Sequence, residues 1–248
     1  MSGLRTGSVL VSLLVVAAGL AGCVAEPPPP APAPPVSPAP SPSTSGPEAL
    51  MATIGQAIED AAFGEDVRLG EIDDGRTSYA PCDLLVVEPD KANWLKLESD
   101  WSSGLEVNPV SSFGSLHGPK TVMDVKVFHL KDAAAAEAAA TKARTAPCSR
   151  ADAPLSIGFA TAKRGSRTVE VGATPARLTT MTLKDVKPEA DYLPGDARVT
   201  FARGPLLISV EAVAFRSRKA NAPTDITAAA EAKAMTTAIA LTKALPPA

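Results

Sequence analysis

The chain has few aromatic side chains and little histidine, with two Trp, two Tyr, six Phe and two His among 248 residues. Its core must therefore be mostly aliphatic and alanine, and histidine-based catalysis has only His117 and His129 to draw on. Cysteine is nearly as scarce: the three present form no C-x-x-C pair and have no histidine cluster beside them, which argues against a zinc site. There is no G-x-S-x-G elbow, no H-E-x-x-H, no Gly-rich phosphate loop and no EF-hand pattern. Runs of like charge are missing too. With 24 Lys and Arg against 27 Asp and Glu, the formal charge is -3, so nothing draws the chain to nucleic acid. No metal and no cofactor is expected.

What is present begins at the N-terminus. Arg5 supplies a short positive region and Val9 to Leu20 an apolar run, shorter than the roughly 20 residues a helix needs to span a bilayer. Leu20-Ala21-Gly22-Cys23 then resembles the lipobox of bacterial lipoproteins. That resemblance implies cleavage before Cys23, acylation of its sulfur and attachment to the outer face of the cell membrane. Two acyl chains suffice for stable anchoring where one holds only marginally. Residues 1–22 are thus expected to be a signal peptide.

Residues 23–47 follow as a stalk. Eleven of the 24 prolines fall between Glu26 and Pro47, with hardly a branched apolar residue, so this segment cannot build a core. Chain of this kind favours extended polyproline II, at about 3.1 Å per residue. A PxxP ligand for a recognition domain is the sharper alternative.

Residues 48–248 are enough for one ordinary domain. The pattern predicts an α+β fold, an antiparallel β-sheet packed by alanine-rich helices. Leu50, Met51, Ile54 and Ile58 recur at helical spacing from Pro47. Val67 to Ile72 alternates as a half-buried strand before a turn at Asp73-Asp74-Gly75, and Leu84 to Val87 reads as a short strand. Trp94, Leu97 and Trp101 fit one face of a short helix over 90–101, as core anchors or as the aromatic wall of a ligand groove. Residues 102–120, carrying Phe113 and His117, read as a loop of the length that often holds function.

Val122 to Leu130 alternates as a strand with Phe128 out of pattern, and Asp132 is placed to cap a helix from Ala133 to Ala146. Leu155 to Ala160, Ser166 to Val171, Ala176 to Leu183 and Asp196 to Ala202 suggest a meander. Leu206 to Phe215 is the strongest strand in the chain, suited to a central position, and a helix runs from about Thr224 to Leu245. The strand-then-helix order at 122–146 and 205–245 is read as common βα grammar rather than a repeat.

With Cys23 acylated, Cys82 and Cys148 remain and are expected to pair in a compartment that permits oxidation. Paired carboxylates at Asp73-Asp74, or Asp185 with Glu189, read as solvated turns. Arg164 and Arg167, and Arg216, Arg218 and Lys219, form two basic clusters near turns, suited to an anionic headgroup or simply to solvent.

The run Val125 to Phe128 with its Ala-rich helix and Cys148, then Arg203 to Val210 and a final Ala-rich helix, resembles the extracytoplasmic sensor-like domains of actinobacterial lipoproteins and membrane-anchored serine/threonine kinases. The resemblance implies helices against an antiparallel sheet around a cleft, with disulfides. The kinase sensor domain has two disulfides, where this sequence can make one. No kinase segment is present and no site residue carries over. The function expected is a membrane-anchored, non-catalytic ligand-binding or sensing module of the cell envelope, its partner a small apolar ligand or an envelope protein. A structural or interaction lipoprotein is the alternative, and an envelope enzyme a further one. Weak ligand-binding candidates are Trp94, Trp101 and Phe113.

Overall fold

A computed structural model describes residues 46–60, 65–87, 94–109, 120–148, 152–154, 161–184, 192–217 and 226–246. The elements run α1 (Pro47–Asp60), β1 (Glu65–Tyr79), β2 (Leu95–Pro109), β3 (Lys120–Leu130), α2 (Ala133–Thr145), β4 (Asp152–Pro154), β5 (Thr161–Val171), β6 (Thr174–Lys184), β7 (Tyr192–Arg203), β8 (Leu206–Ser217) and α3 (Ile226–Ala244). The fold is α+β. All strands join one antiparallel sheet in the order β1-β2-β3-β8-β7-β6-β5-β4, seven of them long and β4 only three residues. The apolar run of β8 sits between β3 and β7, where burial on both faces suits it.

Alternation sorts the side chains onto two faces. Val125, Val127, Ile208, Val210, Ala212, Val199 and Phe201 share one core with α1 and α3. Met51, Ile54 and Ile58 supply the buried stripe of α1, and Ala230, Ala234, Ala238 and Leu241 that of α3, whose small side chains bring helix and sheet close. That approach is tightest at Gly195 of β7, where an added Cβ would lie 2.4 Å from the carbonyl carbon of Ile226. Phe128 and Leu207 point the opposite way and meet Ala136, Ala139, Ala140 and Ala143 of α2. Phe128 is thus not a break in the pattern of β3 but an anchor for the second face. The Asp132 carboxylate caps α2 by accepting the Ala135 N–H at 2.8 Å.

The two strand-then-helix units are not a symmetric pair. Strands β3 and β8 are antiparallel neighbours, and a two-fold axis between such strands stands perpendicular to the sheet and preserves its faces. Helices α2 and α3 lie on opposite faces, as common βα grammar allows and a two-fold repeat does not.

Four local expectations are corrected. Residues 95–101 belong to β2 rather than to a helix. Leu97 and Trp101 are four apart, a spacing that a 3.6-residue and a 2-residue period both fit, and the alternation of Leu97, Ser99, Trp101, Ser103, Leu105 and Val107 decides for the strand. The same strand absorbs residues 102–109 of the expected loop. Asp73-Asp74-Gly75 is no chain reversal: β1 runs through it with register irregularities at Leu69/Ile72 and Asp74/Arg76, and Gly75 takes the second at φ 98°. Leu84 to Val87 forms a turn ending in a single bridge residue, held to the sheet mainly by side chains.

Candidate functional site

The second face of the sheet is polar where α2 does not reach. Arg177 and Thr179 of β6, Asp196, Arg198 and Thr200 of β7, and Ser209 and Glu211 of β8 all point there, and all are buried. Charges spaced two apart on strands read in sequence as a solvated face, but here the segment Ala80–Val87 lies across them. Its apolar side, Leu84, Val86 and Val87, packs on Ala162, Met181 and Val213.

Its backbone makes two turn bonds of its own, Asp83 N–H to the Ala80 carbonyl and Val87 N–H to the Leu84 carbonyl, and polar side chains beneath supply further partners. Arg198 Nη1 donates to the Ala80 carbonyl at 2.6 Å, and the Thr179 hydroxyl to that of Pro81 at 3.3 Å. The Leu85 N–H donates to Glu211 Oε1, and the Val86 N–H to Asp196 Oδ2 at 3.3 Å. Irregular backbone laid over a sheet has no ladder of its own, so buried side chains must supply the partners its turns do not.

Electrostatics distinguishes these groups. Arg198 and Glu211 are direct cross-strand partners, joined through Arg198 Nε at 2.7 Å and through Nη2. Burial works against the Arg198 charge, but Glu211 and the Tyr79 phenol beside it outweigh that and drive its pKa up. The Tyr79 ring lies under the guanidinium, 5.9 Å from centroid to Cζ, and its hydroxyl bonds that of Thr200. The pKa of Asp196 is raised too, for a different reason. Burial first, and the Glu211 charge second, hold its carboxyl well above the usual range, while Arg198 and the Val86 N–H offset only part of this. Its Oδ1 is buried without a hydrogen-bond partner. These carboxyls lie under Leu84–Val87 and hold that segment in place.

One end of that segment is covalently fixed. Cys82 and Cys148 are joined, with 5.3 Å between their Cα atoms, tying the segment to the chain just past α2. Arg177, 2% exposed, fills the junction. Its Nη1 donates to the carbonyls of Ala143 and, at 2.7 Å, of Ala146, the electronegative end of α2. Its Nη2 lies 2.9 Å from Cys148 Sγ and 3.7 Å from Cys82 Sγ.

The outer side of the segment is different in character. Trp94, just before β2, donates its indole N–H to Asp83 Oδ2 at 2.8 Å yet leaves 42% of its surface exposed. Leu85, two residues on from Asp83, is 46% exposed. A shallow, open groove lies elsewhere, between α1 and the end of α3, lined by Ala52, Thr53, Gln56, Ala57, Asp60 and Ala244.

The structure separates the candidate aromatics. Trp101 is a core residue of the first face, stacked on His129 with ring centroids 5.4 Å apart, and His129 Nδ1 lies 3.0 Å from Asp100 Oδ2. Trp94 alone of the two tryptophans is exposed, while Phe113, His117, Cys23, Arg218, Lys219, Asp185 and Glu189 lie outside the described residues. The first basic cluster does not exist as a surface feature. Arg164 is buried 3.9 Å from Asp83, and Arg167 faces the other way to pair with Glu231 of α3. The charged second face escaped sequence reading, although one signal was there: Glu211 sits inside the most apolar strand, and a charge in a central strand must be buried with a partner. Among the described residues no group of three or more His, Cys, Asp or Glu is placed to hold a metal ion. Nor is any helix among them long and apolar enough to cross a membrane.

No family model matches the chain, and no curated protein does. Among solved structures, the extracellular domain of PknH from Mycobacterium tuberculosis is similar over 77% of this chain and 95% of that one, at 12% identity and a TM-score of 0.40.

Proposed function

We propose that the protein is a lipid-anchored, non-catalytic recognition module of the cell envelope, and that it meets an envelope protein through the outer side of Ala80–Val87 together with Trp94. The observation that carries this reading is the pairing of exposure with rigidity at Trp94 and Leu85. Trp94 is held by Asp83, and the segment bearing Leu85 is fixed by a disulfide at one end and by the buried carboxyls of Asp196 and Glu211 beneath. A large apolar side chain already fixed in place loses little entropy on binding, the property of residues that dominate interfaces. The patch is outward-facing rather than enclosed, which suits a protein surface better than a small molecule. The lipobox at Leu20–Cys23 and a disulfide that needs an oxidising compartment support an extracytoplasmic address.

The test is photo-crosslinking in the native host, with a benzophenone side chain in place of Leu85 and, as control, in place of Glu98, an exposed residue of β2. The expected result is a discrete higher-mass adduct from position 85 and none from position 98. No adduct from 85, or the same set from both, overturns the reading.

A further inference from the structure

Arg177 is a buried cation with no carboxylate within ion-pair distance among the described residues. Its hydrogen bonds go to two α2 carbonyls, the Thr179 hydroxyl and the two disulfide sulfurs. Carbonyl dipoles at a helix end carry only about half an elementary charge. A guanidinium this deeply buried would gain most from a full negative charge, and the groups able to supply one without moving are the sulfurs of Cys82 and Cys148 once reduced. The other buried arginines of this face have carboxylates beside them: Arg198 has Glu211, and Arg164 lies 3.9 Å from Asp83. Burial accordingly depresses the pKa of Arg177, where that of Arg198 is raised.

We infer that Cys82–Cys148 is a thiol–disulfide exchange site, at which Arg177 stabilises the departing thiolate and a dithiol is the reductant. The two sulfurs differ in access: Cys82 is buried, whereas Cys148 is partly exposed. A thiolate of the dithiol attacks Cys148 Sγ, forming a mixed disulfide as the Sγ–Sγ bond breaks. The electron pair stays on Cys82 Sγ, beside Arg177 Nη2. The second thiol of the reductant then attacks its own sulfur in the mixed disulfide and releases the Cys148 thiolate, also against Nη2. Two electrons pass from dithiol to disulfide, and the reductant's two protons go to solvent or to the cysteines according to their pKa. A positive neighbour lowers a thiol's pKa, and a lower-pKa thiol leaves faster. Arg177 is a positioning and charge-stabilising residue here, not a reacting one. Cleavage unties Ala80–Val87 from α2. Its effect on recognition rests on the reading of that segment given above, whereas the exchange chemistry does not.

The experiment is the pH profile of iodoacetamide alkylation at Cys148 in the reduced full chain, followed by peptide mass. The half-maximal rate is expected at least one pH unit below the ordinary thiol value of about 8.5. A midpoint at or above that value overturns the inference. In parallel, the equilibrium constant for reduction by dithiothreitol is compared in the parent, Arg177→Lys and Arg177→Met proteins, with far-ultraviolet circular dichroism of each oxidised form. The Met variant should be at least tenfold harder to reduce and the Lys variant should recover most of the difference. Equal constants in all three overturn the proposal, and if Arg177→Met does not fold, the pH profile of the parent decides alone.

Discussion

Glu211 and Arg198 face each other directly across β8 and β7, both carboxylate and guanidinium buried, and the carboxylate that grips Arg198 also accepts the Leu85 N–H from the segment above. One ion pair thus fastens three pieces of chain. Removing either partner strands the other charge in the interior, a loss of about 3–5 kcal/mol. Glu211→Ala and Arg198→Ala should each lower the urea midpoint accordingly. Glu211→Gln, which keeps an acceptor for Leu85, should cost less than Glu211→Ala.

Asp196 predicts an unusual pH dependence. Its folded-state pKa is raised above the unfolded value, so between the two the folded protein binds the extra proton and stability falls as pH rises. The groups facing it are Glu211, Arg198 and the Val86 N–H. Asp196→Asn keeps an acceptor for Val86 and removes the titration. It should raise the melting temperature near neutral pH by a few degrees relative to the parent, with the advantage vanishing only as pH falls below the ordinary value of 3.8, where Asp196 is protonated in both states. Thermal scans across that range check this, and an equal shift at every pH would count against a raised Asp196 pKa.

Cleavage of the Cys82–Cys148 bond opens a loop with a sequence separation of 66. In the chain-entropy model such a bond is worth on the order of 4 kcal/mol. The Cys82→Ser, Cys148→Ser double variant should show that loss in chemical denaturation. Mass spectrometry of non-reduced digests of the parent should find the two peptides linked.

At Gly195 the α3 backbone occupies the place of a side chain. Gly195→Ala must push Ile226 away, and overpacking of this kind costs about 1–3 kcal/mol or more. The destabilisation should appear as faster hydrogen exchange in α3 while α2, on the other face, is spared.

For the anchor, Cys23→Ala should release the chain from membranes and abolish any mass increment from acylation on the N-terminal peptide. Unchanged membrane partition would defeat the lipoprotein reading.

Where one period dominated, the fold was legible from sequence. Alternation marked β3, Asp132 marked the start of α2, and the apolar start of β8 marked its central place. Legibility failed where two periods coincided, as at Leu97 and Trp101, and where a glycine that sequence reads as a turn serves instead to kink a continuing strand, as at Gly75. The candidate site was hardest to see for a different reason. Arg177, Arg198 and Glu211 are charged residues at alternating positions, and only knowledge of what lies over them converts an apparent solvent face into an interior. The cover is irregular chain with no periodicity to announce it. Trp94 reads in sequence as a core anchor or a groove wall, and neither its exposure nor its bond to Asp83 follows from its spacing.

The strand order sets a timetable for assembly. Every other pairing in the sheet joins strands that are neighbours in sequence, and β3 against β8 alone spans the two halves. Any process that delivers the chain N-terminus first therefore completes two separate meanders before it can close the seam between them, and the strand at the seam is the last one made. Cys82 and Cys148 both precede that strand. The covalent tie can form before the surface it rests on exists, so the exposed half-sheet of β1 to β3 must wait, unpaired along β3, until Leu206 to Phe215 arrive.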